Sequence, residues 1–508
     1  MNTIWTRRIV KSIRHQRGHV TLLTAILFVV IGLTTIGMFN VGQQSTNKVR
    51  VQTVSDAAAH SVAMLVARDL NFKAYTNRAM VANQIAIAQM VGLASWAHML
   101  DHAATNFSYV TQAFGWIPVA GQILVAIGQV LSRGATIIEN AISRAAPLIV
   151  RAQEILIDAL SIAQVTFHVA TLAMARETFT SVVSQSDSDI DTAALASNGV
   201  FWGSFIRTWE GQQERYQAQQ RSNNSNPARE NRARLEEFRR VTENSGDRFV
   251  GDPLARSDRR YRSYNWLPAI GAYPIAQVRM RKYGGSDLMP GVTSGNLENY
   301  NWTAMDSVGF EVRTCCRRLG RWRSWNEMLP FGWGAAHALV SNSPYFNYNA
   351  HRRSTKPNGD SRWGNGTWAL RWTTSVGAGQ YGRNNLTSSN GLRPFYDLQQ
   401  RGFVRDDQLN VQVLLLKRAN NVRTHNRMLT ENGGRVQPRF DVEERGGMAG
   451  NTMATLAKAG VYFSRDHARR RDGQREYGNL YNPYWQVHLL PSTNAERTAA
   501  LAFAQLRI

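Results

Sequence analysis

An uninterrupted apolar run near the N-terminus, Val20 to Met38, constrains this chain most. It contains no charged residue, and the first acidic residue of the whole chain is Asp56. Five basic residues precede it: Arg7, Arg8, Lys11, Arg14 and Arg17. A helix of roughly 19 residues rising about 1.5 Å each spans about 29 Å, close to the thickness of a bilayer core. The sequence therefore predicts a transmembrane anchor over residues 19–39, with Val20, Leu23, Ile26, Phe28, Val30, Leu33 and Ile36 in its apolar body. The basic tail, residues 1–18, is expected to stay in the cytoplasm, which places everything after Asn40 across the membrane. A buried core helix and a cleaved secretory signal are the competing readings. Against the signal, the run exceeds the usual core of about 7–15 residues and no A-x-A site follows it. Thr24, Thr34 and Thr35 inside the run are tolerable in lipid, because a hydroxyl can bond back to a helix carbonyl.

The chain of 508 residues predicts about three domains and is long enough beyond the anchor to bury a sizeable core. Its net charge is +23, and arginine is the cause, since only seven lysines occur. The surplus sits mainly in the last three hundred residues. Such a balance suits acidic partners: nucleic acid, lipopolysaccharide, anionic lipid or an acidic protein face. An arginine-biased composition on solvated faces gives the same total. The two cysteines, Cys315 and Cys316, are adjacent, so they staple no distant segments. A vicinal disulfide, a bond between chains and a reduced pair all remain open.

From Val41 to about Phe107 the residues favour helix. Val51, Val54, Ala58, Val62, Leu65 and Val66 recur at three- to four-residue spacing, and proline is absent until Pro118. This predicts one long helix leaving the membrane, with an apolar stripe that needs a second helix or a neighbouring subunit to cover it. Phe114 to Val183 is a second helical region, broken at its start by Gly115, Pro118 and Gly121. Its apolar stretch 117–131 has the composition to cross or lie on a membrane, but a hairpin folding back on the long helix is the preferred reading. Leu124, Ile127, Ile137, Ile138, Ile142, Leu148, Ile155 and Leu156 are its expected core. The helical region thus covers 40–195 and a polar linker 196–245, whose Gln-, Asn- and Arg-rich stretch Gln212–Arg240 reads as linker or exposed helix with Pro227 as a break. A β-rich C-terminal domain follows over 246–508. Candidate strands are Phe310–Arg313, Trp368–Val376, Val411–Leu416, Gly460–Phe463 and Tyr484–Leu490, and an amphipathic helix, Asn494–Arg507, closes the chain. The fold class expected is α+β.

Motifs that carry chemistry are missing. The sequence has no phosphate loop, no H-E-x-x-H helix and no G-x-S-x-G elbow, and its eleven histidines are scattered. Asp187, Asp189 and Asp191 alternate in SQSDSDIDT, but without the glycine and distal glutamate of a calcium loop they read as a polar turn. No catalytic residue, metal or cofactor is therefore expected, and the chain is not expected to be an enzyme. Arginine interleaves with tryptophan in Arg317–Trp325 and Ser361–Trp372, a pattern of single-strand or sugar binders and equally of strands with an aromatic core and an arginine rim.

The stretch Arg14–Ala63 resembles the membrane anchor of Tad (Flp-type) pilus-assembly proteins, the TadG-like group above all. The matching features are the basic residues before Gly18, the apolar span, and Asp56-Ala57-Ala58-Ala59 in the helix beyond it. Asn71–Gln89, Gly460–Arg465 and Tyr477–Pro491 resemble stretches of long TadG-related chains. The resemblance implies a single-pass protein of the bacterial inner membrane, N-terminus cytoplasmic and body periplasmic or surface-exposed, that assembles pili or a related secretion machine. It implies partners among other pilus-assembly or envelope proteins, with a homo-oligomer or hetero-complex formed through the long helix; nucleic acid is not an expected partner. Pilin-like relatives are cut after a glycine and carry a glutamate five residues on. Here Gly18 and His19 stand at that processing position, and the fifth residue is Leu23. The rival function is a surface adhesin or polyanion-binding envelope protein that uses the Arg/Trp-rich outer domain.

Overall fold

The structure is a computed structural model. It describes residues 3–190, 209–210, 213–216, 226–246, 262–272, 276–290, 300–315, 326–340, 385–389, 391–398, 409–418, 422, 428, 452–465 and 478–505. Its spine is α1 (Thr3–Ala113), one helix of 111 residues with no proline to interrupt it, about 165 Å long at the usual rise. A short turn returns the chain into α2 (Ala120–Ser186), which runs back along α1. The turn is tight. Ala120 N–H donates to Pro118 O at 2.7 Å around Val119, which sits at φ 63° and ψ −60°. This is the strained, positive-φ kind of γ-turn, disfavoured further by a β-branched side chain. The stretch 117–131, read as apolar enough for a membrane, is therefore the apex of a hairpin and not one continuous span.

The remaining elements are β1 (Gln213–Tyr216), α3 (Asn226–Asn244), β2 (Arg262–Ala272), β3 (Ala276–Pro290), β4 (Tyr300–Thr314), β5 (Asn326–Val340), β6 (Asn385–Ser389), β7 (Phe395–Leu398), β8 (Leu409–Arg418), β9 (Thr452–Phe463), β10 (Trp485–Leu490) and α4 (Asn494–Gln505). Among the described residues the strands form three open sheets, ordered β10-β9-β8, β1-β7 and β2-β3-β4-β5-β6. All pairings are antiparallel except β5 with β6.

The mixed helix-and-strand class expected from sequence is present, but the strands do not form a body apart from the helices. Val51, Val54, Ala58, Val62 and Val66 of α1 lie under Val411, Val413, Leu415, Ala457, Ala459 and Val461 of β8 and β9. The apolar stripe of the long helix is thus covered by the chain's own C-terminal sheet as well as by α2, and needs no neighbouring subunit. The other face of β8, at Leu414 and Leu416, is closed by Ala500 of α4. The five-stranded sheet sits further along α1. Gly332 and Gly334 of β5 ride directly on the helix: a Cβ at either would strike Ser95, His98, Met99 or Ala103.

Two sequence expectations change. In α2, Leu124, Ile127, Ile137, Ile138, Leu148, Ile155 and Leu156 are exposed, between 40% and 72%. Only Ile142 of the expected core packs against a buried cluster. The buried face is instead Gly128, Ala135, Ala146, Val150, Glu154, Ile157, Ser161 and Gln164. Close approach to α1 selects small and hydrogen-bonding side chains there, and the large aliphatics turn outward. Within 196–245, where Gln212–Arg240 reads as linker or exposed helix, β1 and the helix α3 are ordered elements, and Leu235 and Phe238 of α3 are buried against Phe395 rather than exposed. Their few apolar residues fall on one helical face, which a composition average hides. Strand Trp368–Val376 and both Arg/Trp stretches lie outside the described residues, while the other candidate strands fall within β4, β8, β9 and β10.

Candidate assembly site on the helical shaft

The predicted anchor is the bare end of α1. Val20, Leu23, Ile26, Phe28 and Val30 are 50–75% exposed, and Leu33 and Ile36 are partly covered. Thr24, Thr34 and Thr35 return their hydroxyls to helix carbonyls at 2.7–3.0 Å, the internal pairing that a lipid environment would demand. Gly18 and His19 lie inside the same helix, which continues unbroken through the expected processing position.

Beyond the anchor, α1 carries a row of polar side chains that hold the rest of the chain. Ala58 and Ala59 of the D-A-A-A segment are fully buried under the β8–β9 face. Asp56 accepts from Gln52, whose amide also donates to Leu456 O of β9. Alanines bring the sheet close; the polar pair sets its height. Further along, Asn71 and Trp485 of β10 exchange two bonds of 3.0 Å. Asn77 donates to Tyr396 O and Leu480 O, each at 2.8 Å, and accepts from Gln164 of α2. Gln84 donates to Gly391 O and accepts from the Trp302 indole. The family-like stretches Asn71–Gln89 and Tyr477–Pro491, far apart in sequence, therefore touch. The sequence reading quoted both without assigning their residues roles; the amides Asn71, Asn77 and Gln84, six and seven residues apart on α1, were the available signal.

At the centre of this row is a buried ionic knot. Lys73 Nζ lies 2.8 Å from Asp69 Oδ2, 2.8 Å from His168 Nδ1 and 2.5 Å from Gln213 Oε1. It also sits 4.2 Å from the centre of the Tyr396 ring. Burial pulls the Lys73 ammonium down to about 8 against the opposing pull of Asp69. Burial alone would raise the Asp69 carboxyl, but His168 and Lys73 hold it below the ordinary range. A lysine with a lowered pKa is the type that forms Schiff bases. Here both side chains are fully buried, so the pair joins α1, α2 and β1 and is closed to a substrate. The aspartates of SQSDSDIDT serve a similar end. Asp187 holds the buried Lys417 of β8 at 2.8 Å, and Asp189 stands 3.8 Å from the same ammonium; Asp191 lies outside the described residues. Cys315 is disulfide-bonded.

A groove of about 500 Å³ opens between α1, α3 and the turn at Tyr481–Asn482. Among the described residues that line it, Arg78 is the one charged side chain. Among the described residues no three His, Cys, Asp or Glu side chains gather as a metal site.

The outward face of α2 has its own order. Leu148, Ile155, Ile162 and Val169 recur every seven residues and are 62–72% exposed. Ala145, Ala152, Ala159, Thr166 and Ala173 stand three residues before or four after them and are exposed too. That is the spacing of a coiled-coil seam, with small residues at one position and large aliphatics at the other. An apolar strip of this length on a free surface marks an interaction face.

Residues 18–65, from the start of the anchor through the D-A-A-A segment, match the sequence profile of a family described as putative Flp pilus-assembly TadE/G-like. No curated protein and no solved structure matches the chain. The predicted anchor and the first turns of shaft beneath the β8–β9 sheet are thus the part of the chain that is similar to the TadE/G-like family.

Proposed function

We propose that the chain is a membrane-anchored assembly component of a Flp-type (Tad) pilus or a related secretion machine. Val20–Met38 spans the inner membrane once, the N-terminus stays in the cytoplasm, and the sheet-clad shaft stands in the periplasm. The observation that carries this reading is the contrast along α1. Its first turns past residue 19 are bare and apolar, whereas from Val51 onward the same helix is clad by the chain's own sheets. A bare apolar end on a rigid rod is what a bilayer would cover. The partner face is the seam on the outside of α2, and it takes a helix of another chain anchored in the same membrane, a second copy included. Co-anchored shafts stand parallel and at one height, which aligns such seams without further contacts.

The test is Val29→Arg with Ile31→Arg in the chromosomal copy. Each charge near the helix centre costs roughly 2.5–3.5 kcal/mol. The expected result is loss of carbonate-resistant membrane retention together with loss of surface pili. Retention and piliation at unchanged levels would overturn the reading.

A further inference from the structure

The apex of the α1–α2 hairpin differs from the rest of the shaft. From Ala103 to Ser132 the sequence contains no Asp, Glu, Lys, Arg or His, thirty consecutive residues between His102 and Arg133. The five-stranded sheet reaches α1 as far as Asn106, which donates to Phe331 O, and Phe107, which packs against the same cluster. Past that point the hairpin projects with apolar side chains on both arms and on the turn. Tyr109, Phe114, Trp116, Val119, Ile123 and Val130 are 49–79% exposed. This is not one stripe, as on the outer face of α2 below it, but exposure all round, the pattern of a helix pair immersed in apolar solvent.

The backbone N–H groups of the turn and the Thr111 hydroxyl are paired internally, while Tyr109, Gln122 and Gln129 stand among the exposed side chains, as headgroup-level residues would. The N–H groups of Phe114, Gly115, Ile117, Ala120, Gly121 and Ile123 all donate to carbonyls within the turn. The Thr111 hydroxyl donates to Ser108 O, and Gln112 to the Ser108 hydroxyl. Internal pairing of this kind is what a lipid environment demands of backbone and hydroxyl groups. The arms are closed by glycine: a Cβ on Gly121 would strike Phe114 O, and one on Gly128 would strike Thr111. Helices in lipid associate through such small residues. From Ala120 to Leu131 the second arm rises about 17 Å, near the roughly 15 Å depth of one leaflet. At its foot stands exposed Arg133, placed to meet anionic headgroups.

We propose that this apex inserts into the near leaflet of a lipid bilayer, and that the bilayer is a second one facing the membrane that holds Val20–Met38. Met38 and Ala113 are separated by about 110 Å of continuous helix, so the apex stands a shaft's length from the anchor. The identity of the bilayer as a second one rests on the anchored reading; the insertion itself does not.

The experiment uses the full chain in proteoliposomes mixed with protein-free fluorescent vesicles of phosphatidylethanolamine and phosphatidylglycerol. The expected result is capture of the free vesicles, with a gap near 100 Å between bilayers in cryo-electron micrographs, in keeping with the helix rise. Ile123→Asp with Val130→Asp, both outward-facing, should lower capture at least tenfold while the protein stays in its proteoliposome and keeps its helical circular dichroism. A second variant, Trp116→Ser, should lower it by a smaller factor. Capture no higher than with protein-free liposomes would overturn the proposal. So would capture unaffected by the aspartates, or tethering only between two populations that both carry the chain. If the anchor reading fails, flotation of the Val29→Arg, Ile31→Arg chain with the same vesicles reads apex insertion alone. Flotation abolished by the two aspartates supports insertion, and no flotation overturns it.

Discussion

Asn71 on α1 and Trp485 on β10 bind each other like two strand residues: the amide nitrogen of Asn71 donates to Trp485 O, and Trp485 N–H donates to Asn71 Oδ1, both at 3.0 Å. One side chain thereby replaces a strand neighbour at the edge of the β10-β9-β8 sheet, some four hundred residues away in the chain. Asn71→Ala leaves a strand N–H and C=O without partners, at about 1–3 kcal/mol. Asn71→Asp keeps the acceptor and loses the donor, so a smaller loss is expected. Denaturant midpoints of the two variants, read beside proteolysis of the C-terminal segment, check the order.

The Asp69–Lys73 pair should respond to single and double replacement differently. Lys73→Met strands a carboxylate and Asp69→Leu strands an ammonium, each at about 3–5 kcal/mol. The double variant removes both charges and their desolvation, and is expected to cost less than either single change. A double-mutant cycle of unfolding free energies measures the coupling. Additive losses would mean that Gln213 and His168 hold each charge independently.

His337 of β5 makes the five-stranded sheet sensitive to acid. Its side chain is fully buried, and burial pulls the imidazole down to about 4 from 6.5. The unfolded chain binds the proton first as pH falls. The contribution is therefore complete above pH 6.5 and is lost progressively down to pH 4, about 3 kcal/mol in all. Burial raises the Asp397 carboxyl to about 6, which gives the opposite slope between 3.8 and 6. The His337→Gln variant isolates the histidine: as pH falls from 6.5 to 4, its stability relative to the native chain should rise, because the native chain loses the histidine's share on top of the common Asp397 gain. Thermal melts across that range, with identical slopes for both proteins, would refute this.

The outer seam of α2 predicts a period in cross-linking. With Cys315 and Cys316 replaced by serine, single cysteines at Leu148, Ile155, Ile162 and Val169 should join neighbouring chains in native membranes. Cysteines at the inward positions Val150, Ile157 and Gln164 should not. Non-reducing gels read the pattern, and equal yields at both sets would rule out a seam.

Much of the helical scaffold was legible in the sequence. An uncharged run of bilayer length, a proline-free stretch with apolar residues every three or four positions, and the short apolar run Val411–Leu416 determine the bare end of α1, its continuation and β8, because each signal is local. Legibility stopped where two patterns share one helix. In α2 the large aliphatics and the small or amide residues both recur with helical spacing, and hydropathy assigns the aliphatics to the core. The structure decides the reverse, because the gap beside α1 and the strands is narrow and lined with polar groups: the Ser161 hydroxyl donates to Pro394 O, and Gln164 donates to Asn77 Oδ1 and accepts from the Tyr396 N–H. Pairings such as β1 with β7, and the meeting of Asn71 with Trp485, belong to the tertiary structure alone. No local spacing encodes them, since they arise when segments far apart in the chain are brought to one side of a single long helix.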